Sequence, residues 1–80
     1  MKGQLRIESM FAFIQMDTDN TEGVIAMLDV SSGTWIPLVG ADMDKVKQLR
    51  PVAQRTALTT GRPVHLIHFT NREEIEVIEP

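Results

Sequence analysis

Two histidines, His65 and His68, are the side chains of this chain best suited to proton transfer, because imidazole titrates near neutral pH. They lie in the segment Val-His-Leu-Ile-His-Phe at residues 64–69, which is typical of a strand. Side chains alternate between the two faces of a strand, so a spacing of three places the imidazoles on opposite faces. We therefore expect no metal chelate formed by both. No acid lies close in sequence to orient either ring, unless folding brings Asp17 or Asp29 near.

The acidic segment at residues 17–23, Asp-Thr-Asp-Asn-Thr-Glu-Gly, offers oxygen ligands of the kind that Ca²⁺ prefers. An EF-hand loop beginning at Asp17 needs glycine at its sixth position and an acid at its twelfth, but these are Glu22 and Leu28. Asp and Asn are also frequent in turns, since their side chains hydrogen-bond to nearby backbone. The chain has no cysteine and hence no thiolate ligand. The sequence thus predicts a turn here, and neither a metal nor another cofactor.

Motifs for nucleophilic catalysis and for phosphate binding are not found in the sequence. There is no cysteine and no Gly-x-Ser-x-Gly motif, and Ser31 and Ser32 fall in a predicted turn. Asp42 stands at the start of a predicted helix, where its negative charge would repel an anion. We therefore name no catalytic residue.

Trp35, the only tryptophan, is the best candidate for contact with a ligand or a partner. It follows a predicted turn and begins a segment containing Pro37, which cannot donate to a sheet and so predicts an edge strand. We expect the ring to be partly exposed and favour its packing in the core or in a dimer; the alternative is that this large amphipathic ring anchors a ligand or protein contact, together with Arg62 and the start of the helix. The candidate ligand- or partner-binding residues are Trp35, Arg62, His65 and His68.

Residues 41–61 predict the one amphipathic helix of the fold. Asp42 is placed as an N-cap, Gly61 as the residue that ends the helix, and Pro63 lies just beyond. Pro51 is discordant inside a helix and predicts either a kink or two helical pieces. The apolar stripe at steps of three or four consists of Met43, Val46, Leu49, Ala53 and Ala57.

Strand-like segments surround this helix. Residues 10–16, 24–29 and 35–38 predict three strands of an antiparallel meander, and residues 64–69 a fourth, central strand. Residues 70–80 are ambiguous: Thr70 and Glu73 have capping-box spacing, which favours a short helix, whereas the following residues alternate like an edge strand. The predicted fold class is α+β, a small four-stranded, mainly antiparallel sheet in the order β-β-β-α-β with a short C-terminal helix or strand. One amphipathic helix covers one face.

The length of 80 residues predicts a single domain, with residues 1–9 as a frayed or extended N-terminal segment. A core this small without disulfides is commonly stabilised by self-association. Both faces of the first two predicted strands are apolar, and one helix covers only one of them. We therefore expect a homodimer; the alternative is that residues 1–9 or the C-terminal residues fold across the second face.

Charge and hydropathy exclude some function classes. The net charge is −3, which makes nucleic-acid binding unexpected, and no apolar run is long enough to span a membrane. We expect a cytoplasmic protein that is a small non-enzymatic interaction or regulatory module, acting as a homodimer and binding a protein or small ligand. The alternative is a small enzyme with a histidine–carboxylate site at a dimer interface. A weaker alternative is nucleic-acid binding through helix 42–60, whose neighbourhood carries Lys45, Lys47, Arg50, Arg55 and Arg62.

Overall fold

The computed structural model describes residues 7–80 and shows an α+β domain, as predicted. Residues 1–6, which belong to the N-terminal segment discussed above, lie outside the described residues. In chain order the elements are β1 (Met10–Met16), β2 (Glu22–Val24), β3 (Ala26–Asp29), β4 (Thr34–Pro37), β5 (Val39–Gly40), α1 (Met43–Thr60) and β6 (Val64–Phe69).

Strand β1 is the centre of a four-stranded antiparallel sheet. Along one edge it pairs with β6, from Met10 opposite Phe69 to Gln15 opposite Val64. Its other edge is shared by β2 and β5, which pair with its two ends. Within the described chain β6 pairs with β1 alone, so it is an edge strand. The prediction of a central strand at residues 64–69 is wrong, because the apolar run that is paired on both edges is β1.

Strands β3 and β4 form a separate two-stranded antiparallel sheet, here called the arm. Three backbone hydrogen bonds close its base: Phe13 N–H donates to Leu38 O (3.1 Å), Leu38 N–H to Ile25 O (2.9 Å), and Ile25 N–H to Phe13 O (3.0 Å). All three residues are buried. The predicted meander is therefore wrong, because β3 and β4 pair with each other in a separate sheet, Ile25 interrupts the predicted strand at residues 24–29, and Leu38 separates β4 from the additional strand β5.

Helix α1 begins and ends where its sequence predicts. The Asp42 carboxylate accepts a hydrogen bond from the Lys45 N–H (2.9 Å), and Gly61, in the left-handed region at φ 72°, donates its N–H to Ala57 O (2.9 Å). A single continuous helix runs through Pro51, so the alternative of two helical pieces is wrong. The predicted stripe is shorter than expected, because the Met43 side chain at the helix start is 48 % exposed.

The core lies between α1 and the central part of the sheet. Val46, Leu49 and Ala53 of the helix pack with Phe13 of β1 and with Leu38, the most buried side chain of the described chain. Burial of such apolar surface supplies most of the stability of a small domain.

The face of β1 opposite the helix is also covered. Ala12 and Ile14 are buried there, although we expected a face of this strand to remain exposed. Residues directly opposite on neighbouring strands share a face, so Ala12 lies between Val39 and Ile67, and Ile14 has a neighbour on each edge as well. Exposed apolar side chains are concentrated on the arm, on β6 and after β6, and others lie on β1, β2 and α1, among them Met16, Val24 and Leu58.

Residues 70–80, here called the tail, form neither the helix nor the strand that we predicted. All of the tail is exposed, including Ile75 (82 %) and Ile78 (85 %). Capping-box spacing alone does not hold a helical turn without an apolar surface to pack against, and the exposed tail packs against none among residues 7–80. Near its start, the Arg72 guanidinium lies 3.9 Å from the Glu8 carboxylate.

Among residues 7–80 there is no helix that is both long enough and apolar enough to cross a membrane.

Candidate functional site

The arm carries an exposed apolar surface on one of its two faces. The cross-strand pairs Leu28–Trp35 and Ala26–Pro37 share this face, whereas Met27 on the other face packs against the core. Leu28 is 47 % exposed and Trp35 is 65 % exposed. We call Ala26, Leu28, Trp35 and Pro37 the outer arm face. The expectation of an exposed Trp35 on an edge strand is confirmed, and packing of its ring in the core is excluded.

The tip of the arm is fixed by hydrogen bonds to Asp29. Its carboxylate accepts from the Ser31 hydroxyl (2.7 Å) and N–H (3.1 Å), and its carbonyl accepts from the N–H of Gly33 (2.7 Å), whose φ of 69° suits glycine. The hydrogen bond from the Ser31 hydroxyl is the main cause of a pKa of Asp29 below its ordinary value. With the base closed by the three-residue junction and the tip closed by Asp29, the arm presents Trp35 in a defined orientation.

The outer arm face carries no ionisable side chain. Between residues 26 and 37 the only ionisable side chain is that of Asp29, which is already engaged at the tip. Aromatic and aliphatic side chains that project from a rigid element are typical anchors of protein interfaces, because they bury large apolar areas with little loss of conformational entropy.

Arg62 lies in a different part of the molecule. Its Nε donates to Met16 O (3.1 Å) at the end of β1, and its side chain lines a cleft of about 220 Å³ together with Asp17 and Glu22. Trp35 does not line this cleft. Trp35 and Arg62 therefore do not line one cleft together.

The two histidines lie at opposite-face positions of β6, as predicted, because His65 is opposite Ile14 and His68 is opposite Phe11. The His68 ring stacks on Phe11 with a centroid separation of 4.3 Å and an interplanar angle of 6°. Within residues 7–80 neither histidine hydrogen-bonds to a carboxylate or forms an ion pair with one. Of the four predicted site residues, the structure thus brings only the two histidines onto one element.

The acidic loop after β1 forms a turn, as its sequence predicts. The Asp19 carboxylate accepts from the Thr21 hydroxyl (2.6 Å) and N–H (3.1 Å), which lowers the pKa of Asp19. The Asp17 carboxylate accepts from the Thr18 N–H (2.7 Å). No three histidine, aspartate or glutamate side chains among residues 7–80 are grouped as metal ligands would be.

Gln15 makes a polar contact that we did not predict. Its side chain is buried, and Nε2 donates to Thr60 Oγ1 (2.7 Å) and to Arg62 O (3.1 Å). Thr60 Oγ1 in turn donates to Thr56 O (2.9 Å). The network joins β1 to the end of α1, and its only sequence signal is that Gln15 is the one polar residue in β1.

A groove of about 310 Å³ runs between α1 and β6, here called the helix–β6 groove. Leu66, which faces it, is 43 % exposed, and the outer edge of β6 is unpaired within the described chain. Its apolar lining is Phe13, Ala53, Ala57, Val64 and Leu66, and Arg50 also lines it.

The basic residues of α1 do not share one surface. Arg50 lines the helix–β6 groove, and Lys47, three residues earlier, is its neighbour on the helix surface. Each residue advances about 100° around the axis, which places Lys45 and Arg55 about 140° away from Arg50. This spread does not favour nucleic-acid binding through the helix, which needs several bases on one surface.

Comparison of the chain with protein-family models, with curated proteins and with solved structures finds no match.

Proposed function

We propose that this protein is a non-enzymatic interaction module of the cytoplasm, which acts as a homodimer and binds a partner protein through the outer arm face. The observation that carries the proposal is the exposed Leu28–Trp35 pair on an arm closed by hydrogen bonds at both ends. The absence of cysteine is in keeping with a reducing compartment.

The shape and chemistry of the arm favour a protein over a small ligand. Small molecules bind in concave pockets with a few polar groups, whereas the arm is a projecting two-stranded ribbon with apolar side chains on its outer face. A partner with an apolar groove wide enough for an indole ring would cover Trp35 and Leu28 together. Burying exposed apolar surface contributes about 25 cal/mol per Å², so covering these two side chains would contribute favourably to the free energy of binding.

A photo-crosslinking amino acid in place of Leu28 tests the proposal, because that position lies at the centre of the outer arm face. The matched control carries the same group at Gln48, which is exposed on α1. We expect a discrete adduct with one partner protein from position 28 and not from position 48. The purified partner should then change the fluorescence of Trp35, the only tryptophan, and Trp35→Ala should weaken binding at least tenfold.

Equal adducts from both positions, or adducts only between copies of this chain, would show that the outer arm face does not bind a partner protein. The homodimer is tested separately by sedimentation equilibrium of the full chain, where we expect a mass of twice 9.0 kDa at micromolar concentration. A monomer at high micromolar concentration would contradict that part of the proposal.

A further inference from the structure

Strand β6 is unpaired along its outer edge within the described chain, and the tail that follows it is exposed and unpaired with any described strand. Strand β6 has backbone donors and acceptors along its outer edge that no other described strand uses. An open edge of this kind is a template for pairing with another extended segment. The tail is such a segment, and its apolar side chains Ile75, Val77 and Ile78 are exposed in the described part of the chain.

The tail of the same chain is poorly placed to use that edge. The contact between Arg72 and Glu8 lies beyond the last β1–β6 pair, Met10 opposite Phe69. Extending this antiparallel register by two residues sets residue 8 opposite residue 71, so the tail runs on past the sheet in the direction of β6. A tail that runs onward reaches the edge of a second molecule more readily than it turns back onto its own.

A two-fold axis perpendicular to the sheet would align β6 of each copy with the tail of the other in one antiparallel ladder. Such an axis keeps the two faces of the sheet separate, and side chains alternate along a strand. In such a ladder β6 and the tail form one continuous extended strand. Its odd-numbered residues then lie on one face, and its even-numbered residues lie on the face that carries α1, as Leu66 does opposite Phe13.

On the face away from α1 the ladder would bring exposed apolar side chains of β6 and of the tail together, beside His65 and Glu73. Ile67 and Phe69 of β6 are exposed there, and the odd-numbered tail residues include Ile75 and Val77, which are exposed as well. Cross-strand aliphatic and aromatic pairs of this kind stabilise antiparallel ladders.

On the face that carries α1 the match is electrostatic. The even-numbered tail residues include Glu74 and Glu76, which would lie beside Leu66 and the helix–β6 groove. Arg50 lines that groove and Lys47 is its neighbour one helical turn away, so the two glutamates would lie toward two basic side chains. One alignment thus places Ile75 and Val77 on the face of Ile67 and Phe69 and directs the glutamates toward the basic side chains of α1, while Ile78 falls on the face that carries α1.

We propose that the chain forms its homodimer by exchanging tails, with residues 73–78 of one copy added as an antiparallel strand to β6 of the other, Glu74 and Glu76 lying toward Lys47 and Arg50. The inference rests on the homodimer proposed above and names its interface. The outer arm face takes no part in it and stays free in the dimer.

Charge reversal in two separate full-length chains tests this arrangement. One chain carries Glu74→Lys and Glu76→Lys, and the other carries Lys47→Glu and Arg50→Glu; all four positions are exposed, so both chains should fold. We expect each variant alone to dimerise at least tenfold more weakly than the unchanged chain, measured by sedimentation equilibrium at low salt. The mixture should form a heterodimer, because each tail then meets a helix of opposite charge.

The matched control replaces the second chain by one with Lys45→Glu and Arg55→Glu, which has the same net charge but changes the other side of α1. This chain should dimerise normally and should not rescue the tail-reversed chain. Unchanged dimerisation of the tail-reversed chain, or equal rescue by the control, would overturn tail exchange while leaving the homodimer in place. A monomeric unchanged chain would instead overturn the homodimer itself.

Discussion

Gln15 is a single residue whose polar side chain fixes how the strand and the helix meet. Its amide donates to a hydroxyl at the end of α1 and to the Arg62 carbonyl beyond it. A buried polar group stabilises only when its hydrogen bonds are made, so this contact selects one position for the end of the helix. The sequence shows the anomaly, a lone amide in an apolar strand, but not its partners, because Thr60 lies 45 residues away.

Replacing Gln15 with alanine should lower the free energy of unfolding by about 1–3 kcal/mol, since two hydrogen bonds are lost and a cavity is left. Urea denaturation followed by circular dichroism measures the change. Gln48→Ala is the control, because the Gln48 amide is exposed and makes no side-chain hydrogen bond within residues 7–80, and it should change stability by less than about 0.5 kcal/mol. Equal effects of the two substitutions would show that the buried network contributes nothing.

At the scale of elements, the sequence predicts features that depend on neighbouring residues, such as helix caps, but not features that depend on backbone contacts between distant segments. The caps of α1 at Asp42 and Gly61 depend on neighbouring residues, so the sequence alone locates both helix ends. The breaks at Ile25 and Leu38 depend on a junction with Phe13, which is distant in sequence. The edge position of β6 likewise follows from the pairing of β1 on both sides, which no pattern within residues 64–69 reveals.

The buried side of α1 is tested by Leu49→Asp. Leu49 is almost fully buried in the core, and an unpaired carboxylate there should cost more than about 4 kcal/mol, close to the whole stability of a domain this small. We expect loss of the cooperative thermal transition. Gln48→Asp makes a negative charge on the adjacent exposed position and should leave the melting temperature nearly unchanged; a folded Leu49→Asp protein would mean that another side of the helix is buried.

The approach of β5 to the start of α1 requires glycine at position 40. A Cβ atom added there would lie 2.6 Å from Lys45 Cγ and 2.8 Å from Lys45 Cβ. Because the Lys45 Cβ is fixed to the helix backbone, Gly40→Ala should separate β5 from α1 and lower stability by about 1–3 kcal/mol. Gly23→Ala in β2 is the matched control, since nothing lies within 4 Å of its added Cβ. Thermal denaturation compares the two, and equal melting temperatures would contradict the close approach.

At the scale of the whole molecule, the described chain covers its central strand on both faces and leaves apolar surface at its periphery. Two groups of these exposed apolar side chains, the outer arm face and the β6 edge with the tail, are separate in the fold. Two separate surfaces allow two simultaneous contacts, one with a second copy and one with a partner protein. The sequence indicates the excess of apolar surface but not its position, because coverage of β1 depends on which strands pair with it.

Engineered cysteines test which faces meet in the dimer, and the cysteine-free chain makes every thiol an introduced one. A chain with Ile67→Cys, mixed with a chain with Ile75→Cys or Val77→Cys, should give a disulfide-linked heterodimer on mild oxidation, because odd-numbered residues share the face away from α1. Mixing the Ile67→Cys chain with a Glu74→Cys or Glu76→Cys chain is the control, since those thiols would lie on the face that carries α1. Non-reducing electrophoresis should show strong linkage in the first pair and weak linkage in the second; the reverse order would place the acidic side chains away from Lys47 and Arg50 and contradict the proposed alignment.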